Sequence, residues 1–316
     1  MKTDTFARRT VGGAALLAII SLMPLQSANA DKLVGACGFD FKSLTFTGSD
    51  LQQAKCLLRA KTPFEKFFGP APTTLPTPFE TLIGTPFSLD KGKFEAYLHG
   101  LGIKPGALGG NLGDPLSRSV AGTKPQARYF VIHDVSYPLC EDTASLAKSD
   151  NPAARWNTIA RWSDDKQAHL FITRDGKLIA PQGRTFATPW YATKLEKQNP
   201  DLARGVFLHI ENVQLRNVDA KKGAKTRIVG GEHDGDCIND RIVQQPGFTQ
   251  MQYERLALVY IAASHRAGKW MVPAYHMAVD DGVGKAHDDP QSFDLNFFGS
   301  KICGHLAALG RKECAP

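Results

Sequence analysis

The chain predicts an α/β domain with a mixed central sheet flanked by helices, preceded by a helical amino-terminal extension. Apolar, strand-like runs stand at Tyr129–Val135, His169–Thr173, Lys177–Ala180 and Val206–Val213, and alternation of period two presents successive side chains to opposite faces of a sheet. An amphipathic segment, Gln250–Ala267, follows them: Leu256, Val259, Tyr260 and Ala263 fall at i, i+3, i+4 and i+7, the stripe of a helix laid against a sheet. Strands interleaved with helices give the mixed class.

Residues 1–30 read as a secretory signal peptide. Lys2, Arg8 and Arg9 precede an apolar run from Val11 to Leu25, and Ala28-Asn29-Ala30 supplies a small-residue ending. The run is short for a bilayer span and no second long apolar segment follows, so the expected protein is periplasmic or secreted and does not span a membrane. The Arg8-Arg9 pair also permits twin-arginine export.

Residues 31–125 form the extension, rich in Pro, Phe, Thr and Gly. Three capping boxes, Ser49-x-x-Gln52, Thr62-Pro-Phe-Glu65 and Thr77-Pro-Phe-Glu80, predict short helices, because in each the hydroxyl and the later acid or amide satisfy one another's orphan backbone donors. In the latter two, Pro takes the first helical position. Thr-Pro-Phe recurs at 62, 77 and 85, but the unequal spacing excludes a true repeat. The glycine-bearing stretch Gly100–Gly122 reads as a linker or long loop.

The main domain is expected over 126–299. Gly176, between Asp175 and Lys177, predicts a tight turn that folds the second and third strand runs into a hairpin. From Leu215 to Gly247 the chain is polar and glycine-bearing, an irregular insertion expected to overhang the functional site. The capping box Thr249-x-x-Gln252 opens the long helix and Gly268 closes it. Residues 300–316 read as a short helical tail stapled by its own cysteines.

Six cysteines, none in a Cys-x-x-Cys arrangement, favour disulfides in an exported chain. Proximity in sequence pairs Cys37 with Cys56 and Cys303 with Cys314, leaving Cys140 with Cys237. Charge is mildly positive, 38 basic against 31 acidic residues. That excess suits an anionic envelope polymer and is too small and dispersed for nucleic acid. It says nothing of oligomeric state.

Three side chains, each at the end of a strand-like run or in the loop after one, suggest chemistry. His133 closes Arg128-Tyr-Phe-Val-Ile-His133, His276 closes Met271-Val-Pro-Ala-Tyr-His276, and Asp289 stands in His287-Asp-Asp-Pro290. Two imidazoles and a carboxylate form a three-ligand zinc set that leaves a fourth position for water, as metal-assisted hydrolysis requires. Neighbouring Asp288 and His287 compete with Asp289 as ligands.

From Arg128 to Phe298 the sequence resembles the type 2 N-acetylmuramoyl-L-alanine amidases, the zinc-dependent fold shared with peptidoglycan recognition proteins and phage lysozyme-type amidases. The motifs occur in order: Phe130-Val-Ile-His133, Ala168-His-Leu-Phe-Ile-Thr-Arg-Asp-Gly176, His209-Ile-Glu211, Thr249-x-x-Gln252, Ala274-Tyr-His276, and Asp289-Pro290 followed by Phe293-Asp294. The resemblance implies zinc as cofactor on His133, His276 and Asp289, Glu211 as general base, and peptidoglycan or muropeptides as partner.

Three departures stand out. Where some members place an oxyanion-stabilising lysine two residues before the last ligand, this chain has His287, readable as a protonated substitute or as a ligand. Ala168 replaces the tyrosine of the phage-type enzymes, and His209 fills a position that is usually small. Trp190 and Tyr191, after Pro189, are candidate substrate contacts, and His169 reads as facing the cleft or packing in the core. Two other readings keep the fold: a wall-binding module without catalysis, and a zinc amidase acting on a different amide.

Overall fold

The computed structural model describes residue 1 and residues 33–59, 68–119, 126–136, 157–160, 168–214, 227–228, 231–232, 247–284 and 288–314. Nearly all of the expected signal peptide, the Thr62 capping box, Cys140, Cys237 and most of the 215–247 insertion lie outside them. Residues Lys32–Pro316 form one compact unit.

The unit opens with an antiparallel ribbon, β1 (Phe39–Asp40) and β2 (Thr45–Phe46). Strands this short carry no alternation to read from sequence. Helices α1 (Asp50–Leu57), α2 (Thr77–Leu82) and α3 (Lys91–Gly100) follow. The Ser49 box closes as expected, with the Ser49 side chain accepting from the Gln52 N–H and the Gln52 side chain accepting from the Ser49 N–H. The Thr77 box does not form. Helix α2 starts one residue earlier, with Pro76 at the N-cap, so Glu80 moves past the capping position and accepts instead from the Leu75 N–H (2.8 Å) and Lys55 Nζ (2.6 Å).

The stretch after α3 is a packed loop. Leu108, Leu112 and Leu116 are buried, and the Arg266 guanidinium donates to the carbonyls of Gly109, Asp114 and Pro115. One cation thereby satisfies three loop carbonyls whose partners no sheet or helix supplies.

The remaining elements are β3 (Tyr129–Asp134), β4 (Leu170–Ile172), β5 (Leu178–Ile179), α4 (Lys194–Gln198), α5 (Pro200–Ala203), β6 (Phe207–Asn212), a ribbon of β7 (Arg227–Ile228) and β8 (Gly231–Glu232), α6 (Gln250–Ala267), β9 (Val272–Tyr275), α7 (His276–Val279) and α8 (Leu295–Ala308). Five strands form a sheet of order β5-β4-β6-β3-β9. All neighbours run parallel except β4 and β5, the expected hairpin. Gly176 at its turn has φ +79°, and a Cβ there would meet Met251 Cγ at 2.3 Å, so both the turn and the packing of α6 require glycine.

Each face of the sheet is covered by a different part of the chain. On one, Phe130 packs edge-on against Tyr260 of α6 at 5.1 Å, and Tyr260 meets Phe298 of α8 at 5.9 Å. On the other, Tyr129 stacks on Phe207 at 4.9 Å and meets Phe46 of β2 at 5.2 Å. The buried Tyr129 hydroxyl donates to Gln53 Oε1 of α1 and accepts from the Phe46 N–H, so its polar end is satisfied inside the core. The disulfide Cys37–Cys56 ties the segment just before β1 to α1, and Cys303–Cys314 closes the end of α8. Helix α8 begins at Leu295, earlier than the sequence suggests, because the Asp294 carboxylate accepts from the Phe297 N–H and caps it there.

Candidate metal centre

Parallel register assembles the site. Along β3 the residues Tyr129, Val131 and His133 share one face, and their partners on β6 are Phe207, His209 and Glu211. On the other side β9 pairs Val272 with Tyr129 and Ala274 with Val131, so His276, the next residue on that face, stands beside His133 at the strand ends. Histidine, histidine and glutamate therefore form a row at the carboxyl-terminal edge of three adjacent strands.

The loop after α7 brings the fourth group. Asp289 is anchored by its own carbonyl, which accepts from the Met277 N–H at 2.8 Å, and by the adjacent Gln291 N–H, which donates to Asp134 Oδ2 at 2.6 Å. Its Oδ2 lies 2.9 Å from His276 Nδ1 and 3.5 Å from His133 Nδ1. One ligand atom each from His133, His276 and Asp289 lies within 4.8 Å of the other two, and all three residues are buried. Atoms bound to one zinc at about 2.0–2.1 Å stand roughly 3–3.5 Å apart, so the donor set fits a single ion after small side-chain adjustments. Of the two adjacent acids, Asp289 joins the histidines, while Asp288 accepts from Gln291 Nε2. His287 lies outside the described residues.

Glu211 flanks this group, with Oε1 3.7 Å from His133 Nδ1. Its Oε2 is buried and has no hydrogen-bond partner among the described residues. An orphaned carboxylate oxygen of this kind is costly to bury. Burial, then the nearby charges of Asp289 and Asp134, hold its pKa well above the ordinary carboxylate range.

The histidines differ sharply. Burial disfavours charge on His276, but Asp289 on Nδ1 and Asp280 on Nε2 outweigh it and push its pKa to about 10. His133 is lowered to about 3 by burial and by the charge on His276. Carboxylates therefore face both ring nitrogens of His276 and favour its charged form, an electrostatic setting that also suits a bound cation. Asp280 also accepts from the backbone N–H groups of Lys194 and Leu195 at the start of α4, which fixes the carboxylate that orients His276.

His209 is fully buried behind His133, its Nδ1 3.1 Å from His133 Nε2 and its Nε2 3.2 Å from Glu196 Oε1. Neither Glu196 nor Asp280 was marked by the sequence reading. Their signals were a capping box at Thr193-x-x-Glu196 and an acid at i+4 from His276, both present in the chain. His169 is a buried core residue: Nδ1 accepts from the His209 N–H and Nε2 faces the Thr188 carbonyl. Trp190 and Tyr191 stack on one another at 6.3 Å, with the Arg184 and Arg204 guanidiniums over their rings.

No helix among the described residues is long and apolar enough to cross a membrane. No family model matches the sequence, and no match is found among curated proteins. Among solved structures, the chain is similar to a selenomethionine derivative of AmpD, at 16% identity and TM-score 0.32, covering 60% of this chain and 92% of that one. It is also similar to the Staphylococcus aureus hydrolase AmiA in complex with its ligand, at 14% identity and TM-score 0.27, covering 77% of this chain and 100% of that one.

Proposed function

We propose that the chain is an exported zinc-dependent N-acetylmuramoyl-L-alanine amidase, which hydrolyses the amide joining the lactyl group of N-acetylmuramic acid to L-alanine of the peptidoglycan stem. The observation that carries this reading is the convergence of His133, His276 and Asp289 beside Glu211, whose buried Oε2 has no hydrogen-bond partner among the described residues. The ordered motifs from Phe130 to Asp294 support the substrate class. Residues 126–299 carry the reaction, and β2 and α1 of the extension pack against Tyr129 on the face of the sheet that bears the site.

His133, His276 and Asp289 hold the ion, and two nitrogens with one carboxylate suit zinc. When bound, zinc supplies Lewis acidity, polarising the amide carbonyl and making water a competent nucleophile near neutral pH. Glu211 acts as the general base: its carboxylate takes a proton from the attacking water and returns it to the stem-peptide nitrogen as the carbon–nitrogen bond breaks. Its raised proton affinity suits a group that must both accept and release. His287 is assigned to the developing oxyanion, by its position two residues before Asp289.

Elemental analysis of the purified protein and mass analysis of digested muropeptides test this together. The expected result is stoichiometric zinc, release of free stem peptides, loss of cleavage after chelation and recovery on adding zinc. Wall binding without zinc and without cleavage would instead identify a non-catalytic module. Zinc without muropeptide cleavage would leave an amidase for another substrate.

A further inference from the structure

One face of the sheet carries a second layer of polar groups beneath the proposed metal ligands. His133 has two ring nitrogens with separate surroundings: Nδ1 faces Asp289 and Glu211, at 3.5 and 3.7 Å, while Nε2 faces away from them, 3.1 Å from His209 Nδ1. His209 in turn directs Nε2 to the Glu196 carboxylate, 3.2 Å from Oε1 and 3.1 Å from Oε2. All three side chains are 1% exposed or less.

We infer that His209 and Glu196 are positioning residues that fix the ring and tautomer of His133 for metal binding through Nδ1; the inference rests on the zinc reading above. The argument is one of donors and acceptors. An imidazole that ligates through Nδ1 must carry its proton on Nε2. That buried proton needs an acceptor, and the group in front of it is His209 Nδ1. His209 can accept there only with its own proton on Nε2, which then donates to Glu196.

The far end of the relay is built to receive that proton. Glu196 Oε2 accepts from the Ala192 and Thr193 N–H groups and from Thr193 Oγ1, so its carboxylate is held by the turn that starts α4. Behind His209, His169 cannot act as an alternative partner: its Nδ1 accepts from the His209 backbone N–H, its Nε2 faces the Thr188 carbonyl, and its ring is stacked nearly parallel to that of His209 at 5.7 Å. The relay therefore has one direction when His133 is a ligand: His133 Nε2–H to His209, and His209 Nε2–H to Glu196. Supporting hydrogen bonds of this kind commonly change metal affinity by about 10–100-fold.

Two measurements test the relay. Histidine-labelled ¹⁵N spectra of the unaltered, zinc-loaded protein are expected to show His133 ligated through Nδ1 with a proton on Nε2, and His209 protonated on Nε2. Ligation through His133 Nε2, or a His209 proton on Nδ1, would overturn the inference. Zinc affinity is then read by chelator competition for His209→Gln and His209→Met, side chains of similar size, with folding checked by near-ultraviolet circular dichroism. Gln keeps an acceptor and a donor and is expected to bind within a few-fold of the unaltered protein, whereas Met is expected to lose about 10–100-fold. Equal affinity in the two variants assigns His209 to packing and also overturns the inference. Absence of zinc from the unaltered protein would instead remove the underlying metal reading, a result the variants cannot mimic.

Discussion

The two ends of the β3–β6 strand pair are built from opposite materials. At the amino-terminal end Tyr129 stacks on Phe207, and Phe39 and Phe46 of the extension pack around them. Four residues along the same face, His133 stands opposite Glu211, with His276 and Asp289 against it. Both ends are buried. One gains free energy from apolar area removed from water; the other spends it on desolvated ionisable groups. The difference teaches that burial alone does not mark a core, and that the extension supports an otherwise expensive site by sealing the opposite end of the same strands.

Changes at either end should therefore have opposite signatures. The largest effect is expected from Glu211→Gln, which lowers muropeptide hydrolysis by about 10³-fold while zinc stays bound. Because a buried carboxylate is replaced by a neutral amide, thermal melting should not fall; a fall comparable with that of a core truncation would erase the contrast. Phe207→Ala attacks the other end and should cost about 3–5 kcal/mol in urea unfolding. A cost near zero there would mean that the aromatic cluster does not anchor the sheet.

A smaller effect sharpens the comparison by asking whether charge matters at the apolar end. Asp50 accepts from Arg128, just before β3, and from Lys269, just before β9. Burial disfavours its charge, but the hydrogen bonds from Lys269 and Arg128 outweigh this and hold its pKa below the ordinary value. The stabilisation is therefore complete above the unfolded pKa of about 3.9 and is lost as pH falls through the lowered folded value. Asp50→Asn should cost about 1–2 kcal/mol for a half-buried network at neutral pH. The gap to the unaltered protein should close in acid, and a gap that widens on acidification would contradict the assignment.

Legibility from sequence followed the reach of each signal. Four of the five sheet strands and α6 were readable because apolar periodicity and the Thr249 and Gly268 caps are local, and β9 was legible only as the extended run that His276 closes. His133, His276 and Asp289 were readable because strand ends and the acid-rich loop mark them individually, and the parallel register then brings them together. Glu196 was not readable as a support: it belongs to a five-residue helix, and its tie to His209 spans the loop before β6. The β1–β2 ribbon was hidden for want of alternation. At Thr77 the local pattern was present but Lys55, from another helix, competes for the glutamate that should have closed the box.

The turn from Thr193 to Glu196 has a further consequence. Asp280, which braces His276, accepts from Lys194 and Leu195, and Glu196, which braces His209, is held by Ala192 and Thr193. Two supports that look independent at the ion share one small fulcrum. Substitutions at His209 and Asp280 should consequently couple, their combined effect departing from the sum of the separate ones, so a double-mutant cycle can detect a hinge that neither single variant reveals.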